Sequence, residues 1–310
     1  MLDSKIKIVF MGTPDYATQI LKEILTCKDI EVPLLVTQPD KPVGRKQILT
    51  PPHTKAFVLE NSLHVEIYQP KTLKTNEAYE YINSFKPDFI VVAAYGQILP
   101  KNILDIAPCI NLHASILPQY RGASPIQSSL LNNDKFAGIT SMLMEEGLDT
   151  GDILGFSYFK LDQHIKVDKL FDELSVMASK LAIKMLRNFK DIEPIKQLNS
   201  DTSYAAKIRK NDGLVSFSQD TANQIYTKFR AYDPWPGLFL DSGLKLKDIE
   251  IVDVKTIHDY DKIISIDEDI IVTCKEGSLR IKSVQAPSKK QMIAVQYARG
   301  KRLEVGNQLV

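Results

Sequence analysis

The first half of the chain alternates strand-like runs with stretches of helical spacing, and this alternation limits the possible folds more than any other feature. Apolar runs such as residues 6–11 and 89–95 are separated by segments such as residues 16–26, whose apolar positions recur at helical spacing. Continuous apolar runs are typical of parallel strands that are covered on both faces. The pattern therefore predicts an α/β fold with a doubly wound, mostly parallel sheet of the Rossmann-like type.

The second part of the chain has a different pattern. Residues 191–207 are polar and contain Pro194, which predicts a linker. Beyond them, short strand-like runs are separated by turn residues, a pattern typical of a small OB-like β-barrel. With 310 residues, the chain is long enough for two hydrophobic cores. We predict a first domain over residues 1–190, a linker over 191–207 and a second domain over 208–310.

Composition excludes several classes of protein. Apolar residues make up 44% of the chain and charged residues 25%, as in ordinary globular proteins, and the net charge of +1 indicates no partner. The three cysteines are far apart and predict neither a disulfide framework nor a metal site. No apolar run approaches the ~20 residues that span a bilayer, and no signal-peptide pattern is present. We therefore expect a cytoplasmic, monomeric protein without a metal or a membrane partner.

Asn111 and His113 are the most informative polar pair in the sequence. They end a buried, strand-like run that begins at Cys109, and one residue separates them, so that they share a face of the strand. A lone histidine beside an apolar strand is more often a hydrogen-bonded core residue than a catalyst. However, an amide that can donate to an oxyanion lies in phase with this imidazole, at the strand end where doubly wound sheets bind ligands. The pair indicates acyl-type transfer without a nucleophilic side chain.

An acidic turn follows some 35 residues later, between two further strand-like runs. Asp149 lies in it between two glycines and could orient the imidazole of His113. Glu145, Glu146 and Asp152 could do the same on chemical grounds, and spacing alone does not choose among the four acids.

Two basic segments are candidates for phosphate binding. The loop over residues 38–46 follows the second predicted strand and combines prolines with Lys41, Arg45 and Lys46. Residues 275–302 hold eight basic residues and one acid, Glu276. Taken alone, the loop is better explained as ordinary solvated surface, whereas for residues 275–302 solvated surface and phosphate binding are about equally good explanations. The turn over residues 11–15 lacks the GxGxxG pattern, which argues against a dinucleotide cofactor.

Taken together, these motifs resemble those of the folate-dependent formyltransferases. The resemblance rests on Asn-Leu-His-Ala-Ser-Ile-Leu-Pro from Asn111, Tyr-Arg-Gly-Ala-Ser-Pro-Ile-Gln from Tyr120 and Gly-Leu-Asp-Thr-Gly-Asp from Gly147. Residues 10–16, the loop at residues 37–45, Asp-Pro-Trp-Pro-Gly from Asp233 and the last six residues are similar to the members that act on methionyl-tRNA. The match runs from the first strand to the end of the chain.

The resemblance implies a function and a set of site residues. It implies formyl transfer from 10-formyltetrahydrofolate, as co-substrate, to the methionine amine of initiator methionyl-tRNA. It implies that Asn111, His113 and Asp149 are catalytic. It further implies a folate site formed by Ser115, Ile116, Leu117 and Pro118. The implied tRNA contacts are Arg45, Lys41 and Lys46 in the loop and Lys289 and Lys290 in the second domain.

Some positions depart from the family pattern, and two other functions stay open at this point. Gln119, Ser128 and Gln308 stand where members of the family often carry a basic residue. A formyltransferase for a small amine, such as a sugar nucleotide or glycinamide ribonucleotide, could use the same catalytic set. A non-catalytic RNA-binding protein on an α/β scaffold is the alternative from another class.

Overall fold

A computed structural model describes residues 5–44, 46–257 and 259–309. The chain divides into two compact units. The first consists of the described residues within Met1–Pro125, Phe136–Lys160 and Leu170–Ala205. The second consists of those within Ile126–Lys135, Leu161–Lys169 and Ala206–Val310. Residues 191–205 thus belong to the first unit, and two short segments of the predicted first domain belong to the second. The domain bounds that the sequence predicts, with a linker over residues 191–207, stay a prediction.

The first unit is built around a seven-stranded sheet. Its strands are β1 (Ile6–Gly12), β2 (Ile30–Val36), β5 (Glu66–Tyr68), β6 (Phe89–Ala93), β7 (Cys109–His113), β9 (Phe136–Leu143) and β10 (Ile153–Lys160), and its short pairs are β3 (Lys41–Val43) with β4 (Ile48–Thr50) and β8 (Arg121–Gly122) with β11 (Tyr204–Ala205). The helices up to residue 188 are α1 (Asp15–Leu25), α2 (His53–Glu60), α3 (Asn76–Ser84), α4 (Lys101–Leu104), α5 (Pro125–Leu131) and α6 (Val167–Asn188). Of these, α5 after Pro125 and the first three residues of α6 belong to the second unit.

The strand order of this sheet is β10-β9-β7-β6-β1-β2-β5. Five neighbouring strands, β7, β6, β1, β2 and β5, are parallel to one another. Strands β9 and β10 form an antiparallel hairpin next to β7. The prediction of a doubly wound, mostly parallel sheet is confirmed. The carboxyl ends of the parallel strands lie at one end of the sheet. Because β9 is antiparallel to β7, the turn between β9 and β10 begins beside the amino end of β7, where Leu143 pairs with Ile110.

Both faces of the sheet are covered, as the continuous apolar strands require. Val9 and Met11 belong to a buried cluster on one face that includes Ala78 and Ile82 of α3. Ile8 and Phe10 alternate with them and are equally buried. On that second face a side chain at Gly12 would overlap the Cβ of Ala17, so α1 packs closely there. Helix α6 meets α1 through an edge-to-face contact between Phe171 and Tyr16.

The second unit contains an antiparallel sheet. Its elements are α7 (Ala222–Tyr232), β12 (Leu238–Phe239), β13 (Lys245–Asp253), β14 (Ile263–Ile266), β15 (Ile270–Thr273), β16 (Ser278–Gln285), β17 (Met292–Ile293) and α8 (Ala294–Lys301). The strand order is β12-β13-β16-β15-β14, and β17 pairs with β16. A smaller β domain is confirmed, whereas closure into an OB-like barrel stays a prediction. In the described part of the chain, no helix is long and apolar enough to cross a membrane.

Candidate functional site

The polar pair Asn111 and His113 lies at the carboxyl end of β7, as the sequence predicts. Strand β7 is an interior strand, paired with β6 on one side and β9 on the other. The neighbouring strands leave Asn111 only 9% exposed and His113 only 6% exposed. Polar side chains that are buried at the end of an interior strand require partners nearby, because an unpaired buried polar group is costly.

Asp149 supplies the partner for both side chains. Its Oδ1 accepts a hydrogen bond from Asn111 Nδ2 at 3.2 Å, and its Oδ2 lies 3.7 Å from His113 Nδ1. Oδ2 also accepts from the backbone N–H of Gly122 at 2.8 Å. Of the four acids that the sequence offered, Glu145 and Glu146 are exposed, and Asp149 is the one with contacts to both polar residues of β7. The structure thus brings Asn111, His113 and Asp149 together.

The shape of the turn explains how Asp149 reaches back to β7. Asp149 has a φ of 52°, in the left-handed region that residues other than glycine seldom adopt. Gly151 lies so close to the carbonyl oxygen of Leu143 that any side chain there would overlap it. The Gly-flanked sequence is therefore what allows the turn to fold back tightly on the end of β9, so that Asp149 reaches Asn111.

The hydrogen bonds of His113 fix the position of one proton. Its Nε2 lies 2.8 Å from the carbonyl oxygen of Tyr120. A carbonyl oxygen only accepts, so Nε2 carries the proton. The neutral ring then has its lone pair on Nδ1, and the charged ring has a second N–H there, in both cases directed toward the side of Asp149. Nδ1 is consequently the ring atom available for chemistry.

A polar segment that the sequence suggested was a linker contributes to this site. Gln197 donates from Nε2 to the backbone carbonyls of Asp149 and Gly151 at 2.9 and 2.8 Å. The buried guanidinium of Arg121 donates to Gln197 Oε1. Sequence reasoning missed this pair because it joins residues 76 positions apart with no periodic pattern between them. A glutamine within a segment that lacks apolar periodicity was the only local signal.

The residues predicted for folate binding form the turn that follows β7. The hydroxyl of Ser115 donates to the carbonyl of Gln119 at 2.6 Å, and Ser115 is 4% exposed. Thr140 Oγ1 donates to the Ser115 carbonyl at 2.7 Å and accepts from the N–H of Leu117 at 3.0 Å. The polar groups of Ser115 thus shape the turn, while Ile116 and Pro118 remain partly exposed beside β7.

The predicted tRNA loop is a two-stranded hairpin at the same edge of the sheet. Lys41 and Lys46 are exposed, and Arg45 lies outside the described residues. The base of the hairpin is held at Asp40, which accepts hydrogen bonds from Lys55 Nζ at 2.9 Å and from Gln69 Nε2 at 2.8 Å. These bonds, those from Gln69 above all, lower the pKa of the Asp40 carboxyl. The hairpin therefore has a fixed base.

Lys289 and Lys290 are exposed in the second unit, between β16 and β17. Two other cations of the basic stretch face acids: Arg280 lies 3.8 Å from Asp269, and Lys282 pairs with Glu250. Among the described residues, neither Lys289 nor Lys290 has an ion pair. No group of three or more His, Cys, Asp or Glu in the part of the chain that the structure covers is arranged to hold a metal ion.

This fold, with an Asn-His-Asp set at the carboxyl end of a parallel strand, defines a class of group-transfer proteins. A formyl transferase family model matches residues 5–186, and a formyl transferase C-terminal domain model matches residues 207–302. The chain belongs to the formyltransferase family.

Two relatives within this family match nearly the whole chain. A methionyl-tRNA formyltransferase of a Nitratiruptor species is 55% identical over 302 residues, covering 97% of this chain and 99% of the relative. The methionyl-tRNA formyltransferase of Wolinella succinogenes is 51% identical over 303 residues, with the same coverage of both chains.

Solved structures share the fold at low sequence identity. HypX from Aquifex aeolicus, in complex with tetrahydrofolic acid, has a TM-score of 0.65 at 15% identity and is matched over 99% of this chain and 49% of its own. An N-formyltransferase from Helicobacter canadensis, in complex with folinic acid and dTDP-3-aminofucose, has a TM-score of 0.65 at 20% identity, over 89% of this chain and 98% of its own.

Proposed function

We propose that this protein transfers a formyl group from 10-formyltetrahydrofolate to the amino group of methionine on initiator methionyl-tRNA. The observation that carries the proposal is the convergence of Asn111 Nδ2 and His113 Nδ1 on the carboxylate of Asp149. Two potential hydrogen-bond donors and one carboxylate then meet at a single point, which suits an acyl carbon under attack by an amine. Relatives that are 50–55% identical over nearly the whole chain carry this activity in their names.

In the proposed mechanism the free amine of methionine attacks the formyl carbon. A C–N bond forms, and the carbonyl oxygen of the formyl group becomes an oxyanion. Asn111 donates to this oxygen from Nδ2, and His113 donates from Nδ1 when its ring is protonated, since Nε2 is held by Tyr120. Fixed donors of this kind stabilise the charge without reorganisation during the reaction.

Collapse of the intermediate breaks the bond between the formyl carbon and N10 of the folate. The amine loses one proton and N10 gains one, so that no net proton is consumed. Asp149 orients His113 and assists removal of the proton from the amine, and its own position is set by Asn111 and the N–H of Gly122. No covalent bond to the enzyme is needed, because the formyl donor is already activated.

Binding of the two substrates is assigned to separate parts of the chain. The turn over residues 115–118 lies next to the catalytic strand and suits the folate. The hairpin of β3 and β4, with Lys41, Lys46 and the neighbouring Arg45, suits the acceptor end of the tRNA. Lys289 and Lys290 would contact phosphates further along the tRNA. A monomer that acts in the cytoplasm completes the proposal.

A reaction with defined acceptors tests the proposal. The protein is mixed with 10-formyltetrahydrofolate and methionyl-tRNA, and formyl-methionine is sought by mass spectrometry after hydrolysis of the ester. Parallel reactions contain a dTDP-amino sugar or glycinamide ribonucleotide in place of the tRNA. Formylation of the tRNA alone is expected. A small amine as the only formylated acceptor would replace the proposal with a small-molecule activity, and no product with any acceptor would favour a non-catalytic RNA-binding role.

A further inference from the structure

Gln197 lies against Asp149, although 48 residues separate them along the chain. Its side-chain Nε2 donates to the backbone carbonyl of Asp149 at 2.9 Å and to that of Gly151 at 2.8 Å. One amide thus ties together two carbonyls on either side of Thr150. The turn that carries the catalytic carboxylate is therefore closed by a side chain from outside the turn.

The orientation of that amide is fixed by Arg121. Nε and Nη2 of the guanidinium lie 3.0 and 2.8 Å from Gln197 Oε1. A guanidinium only donates and a backbone carbonyl only accepts, so Oε1 must face Arg121 and Nε2 must face the turn. Arg121 is 3% exposed, and within the described part of the chain its guanidinium donates to the amide oxygens of Gln197 and Asn199. The buried guanidinium of Arg121 thus fixes the orientation of the Gln197 amide.

The same segment also supports the other partners of the catalytic side chains. Ser203 Oγ accepts from the N–H of Tyr120 at 2.9 Å, and the carbonyl of Tyr120 accepts from His113. Strand β11 pairs with β8, which contains Gly122, the backbone donor to Asp149. Residues 197–205 therefore contact both the residues that hold His113 and those that hold Asp149.

Asp149 needs such support because of its backbone conformation. Its φ of 52° is unfavourable for a residue with a side chain, and conformations of this kind persist only where the surroundings impose them. Without the amide bridge the turn could relax, which would carry the carboxylate away from Asn111 and His113. A displacement of about 1 Å in a catalytic group can cost about a hundredfold in rate.

We propose that Gln197, aimed by Arg121, is a positioning residue that holds Asp149 in its catalytic position. This inference rests on the role proposed above for Asp149. The hydrogen bonds of the Gln197 amide go to Arg121 and to the turn. We therefore expect its loss to lower the rate of formyl transfer and to leave substrate binding intact.

The Gln197→Glu variant separates positioning from folding. An ionised glutamate still accepts from Arg121 and forms a buried ion pair with it, but it cannot donate to the carbonyls of Asp149 and Gly151. The expected result is a protein that still unfolds cooperatively on heating, with a kcat lowered about tenfold to a hundredfold. The KM values for tRNA and for folate should change less than twofold. Asn199→Ala is the matched control, because it removes the two longer bonds to Arg121 and leaves the amide bridge in place.

A double-mutant cycle shows whether Gln197 acts through Asp149. Single-turnover rates are measured with excess enzyme for Gln197→Glu in the wild-type and Asp149→Ala backgrounds. A loss of at least tenfold in the first background and less than twofold in the second is expected. Equal losses in both backgrounds, or a Gln197→Glu enzyme within twofold of wild type, would overturn the inference. Should Asp149→Ala itself retain full activity, the proposed role of Asp149 fails first, and the cycle makes that failure visible separately.

Discussion

His113 and Asp149 face each other across 3.7 Å, measured from Nδ1 to Oδ2, while His113 Nε2 is held at 2.8 Å by the Tyr120 carbonyl. The longer distance allows attraction between charges but is too great for a hydrogen bond. Catalytic contacts often tighten only when substrate binds. The imidazole is therefore anchored on one side and free to engage the reacting group on the other.

Removal of any member of the proposed catalytic set, Asn111, His113 or Asp149, should greatly slow the reaction. Asn111→Ala, His113→Ala and Asp149→Ala are each expected to lower kcat at least about a hundredfold, because each removes an oxyanion donor or the group that orients one. Steady-state formylation of methionyl-tRNA measures the effect. Glu146→Gln is the matched control, since Glu146 is an exposed acid near the same turn, and it should retain wild-type kcat. An Asp149→Ala enzyme with near-normal kcat would remove Asp149 from the mechanism.

Much of this site could be predicted because its signals are local. Period-two spacing places Asn111 and His113 on one face of β7, and the alternation of strands and helices places that strand end at the ligand-binding edge of the sheet. The bounds of β1, predicted as residues 6–11, differ from those observed by one residue. Patterns of this kind depend only on neighbours in sequence.

The rest could not be predicted, because it depends on contacts between distant residues. Selection of Asp149 over Glu145 required the left-handed turn and the bond from Asn111, 38 residues away. The contribution of Gln197 required strand β11 to pair with β8, a two-residue pairing with no hydrophobic pattern. A polar segment that packs through hydrogen bonds has the same composition as a solvated linker, so sequence alone does not distinguish them.

Salt should weaken tRNA binding and leave folate binding almost unchanged. Phosphate contacts by lysine release counterions, so the KM for tRNA is expected to rise between about 50 and 200 mM salt. In the Lys289→Ala/Lys290→Ala variant, the slope of log KM against log salt should fall by up to about 2. Lys282→Ala is the control, because its charge already faces Glu250. A KM for tRNA that does not respond to salt would contradict the assignment of these lysines.

Thiol reactivity should differ among the three cysteines. Burial raises the pKa of the Cys109 and Cys274 thiols to about 12, so both are protonated and shielded at pH 8. Cys27 is only half-buried. Iodoacetamide is expected to add one group to the native protein and three in urea, as measured by intact mass. In Cys27→Ser the native protein should gain none, and modification of Cys109 before unfolding would contradict the packing of β7 against the core.

The anchor of the β3–β4 hairpin should control the use of tRNA. Asp40→Asn removes the charge that holds Lys55, so the hairpin should lose its fixed base. Since a pre-ordered loop binds more tightly, we expect the KM for tRNA to rise about three- to tenfold, with the KM for folate and kcat unchanged. The control is Asp105→Asn, which breaks an exposed pair with Lys101 elsewhere in the same unit. An equal rise in both KM values would indicate general damage to the first unit.

The same anchor should contribute to stability in a pH-dependent way. Hydrogen bonds from Gln69 and Lys55 lower the pKa of Asp40 in the folded protein. The group therefore adds stability above its unfolded-state pKa of about 4, and this contribution is lost as the pH falls through the lower folded-state value. Urea unfolding from about pH 5 to pH 3 should show a smaller loss of stability for Asp40→Asn than for the wild type, because the variant has no carboxylate to protonate. Parallel losses in the two proteins would mean that Asp40 has the same proton affinity folded and unfolded, and that its bonds to Gln69 and Lys55 do not hold the hairpin.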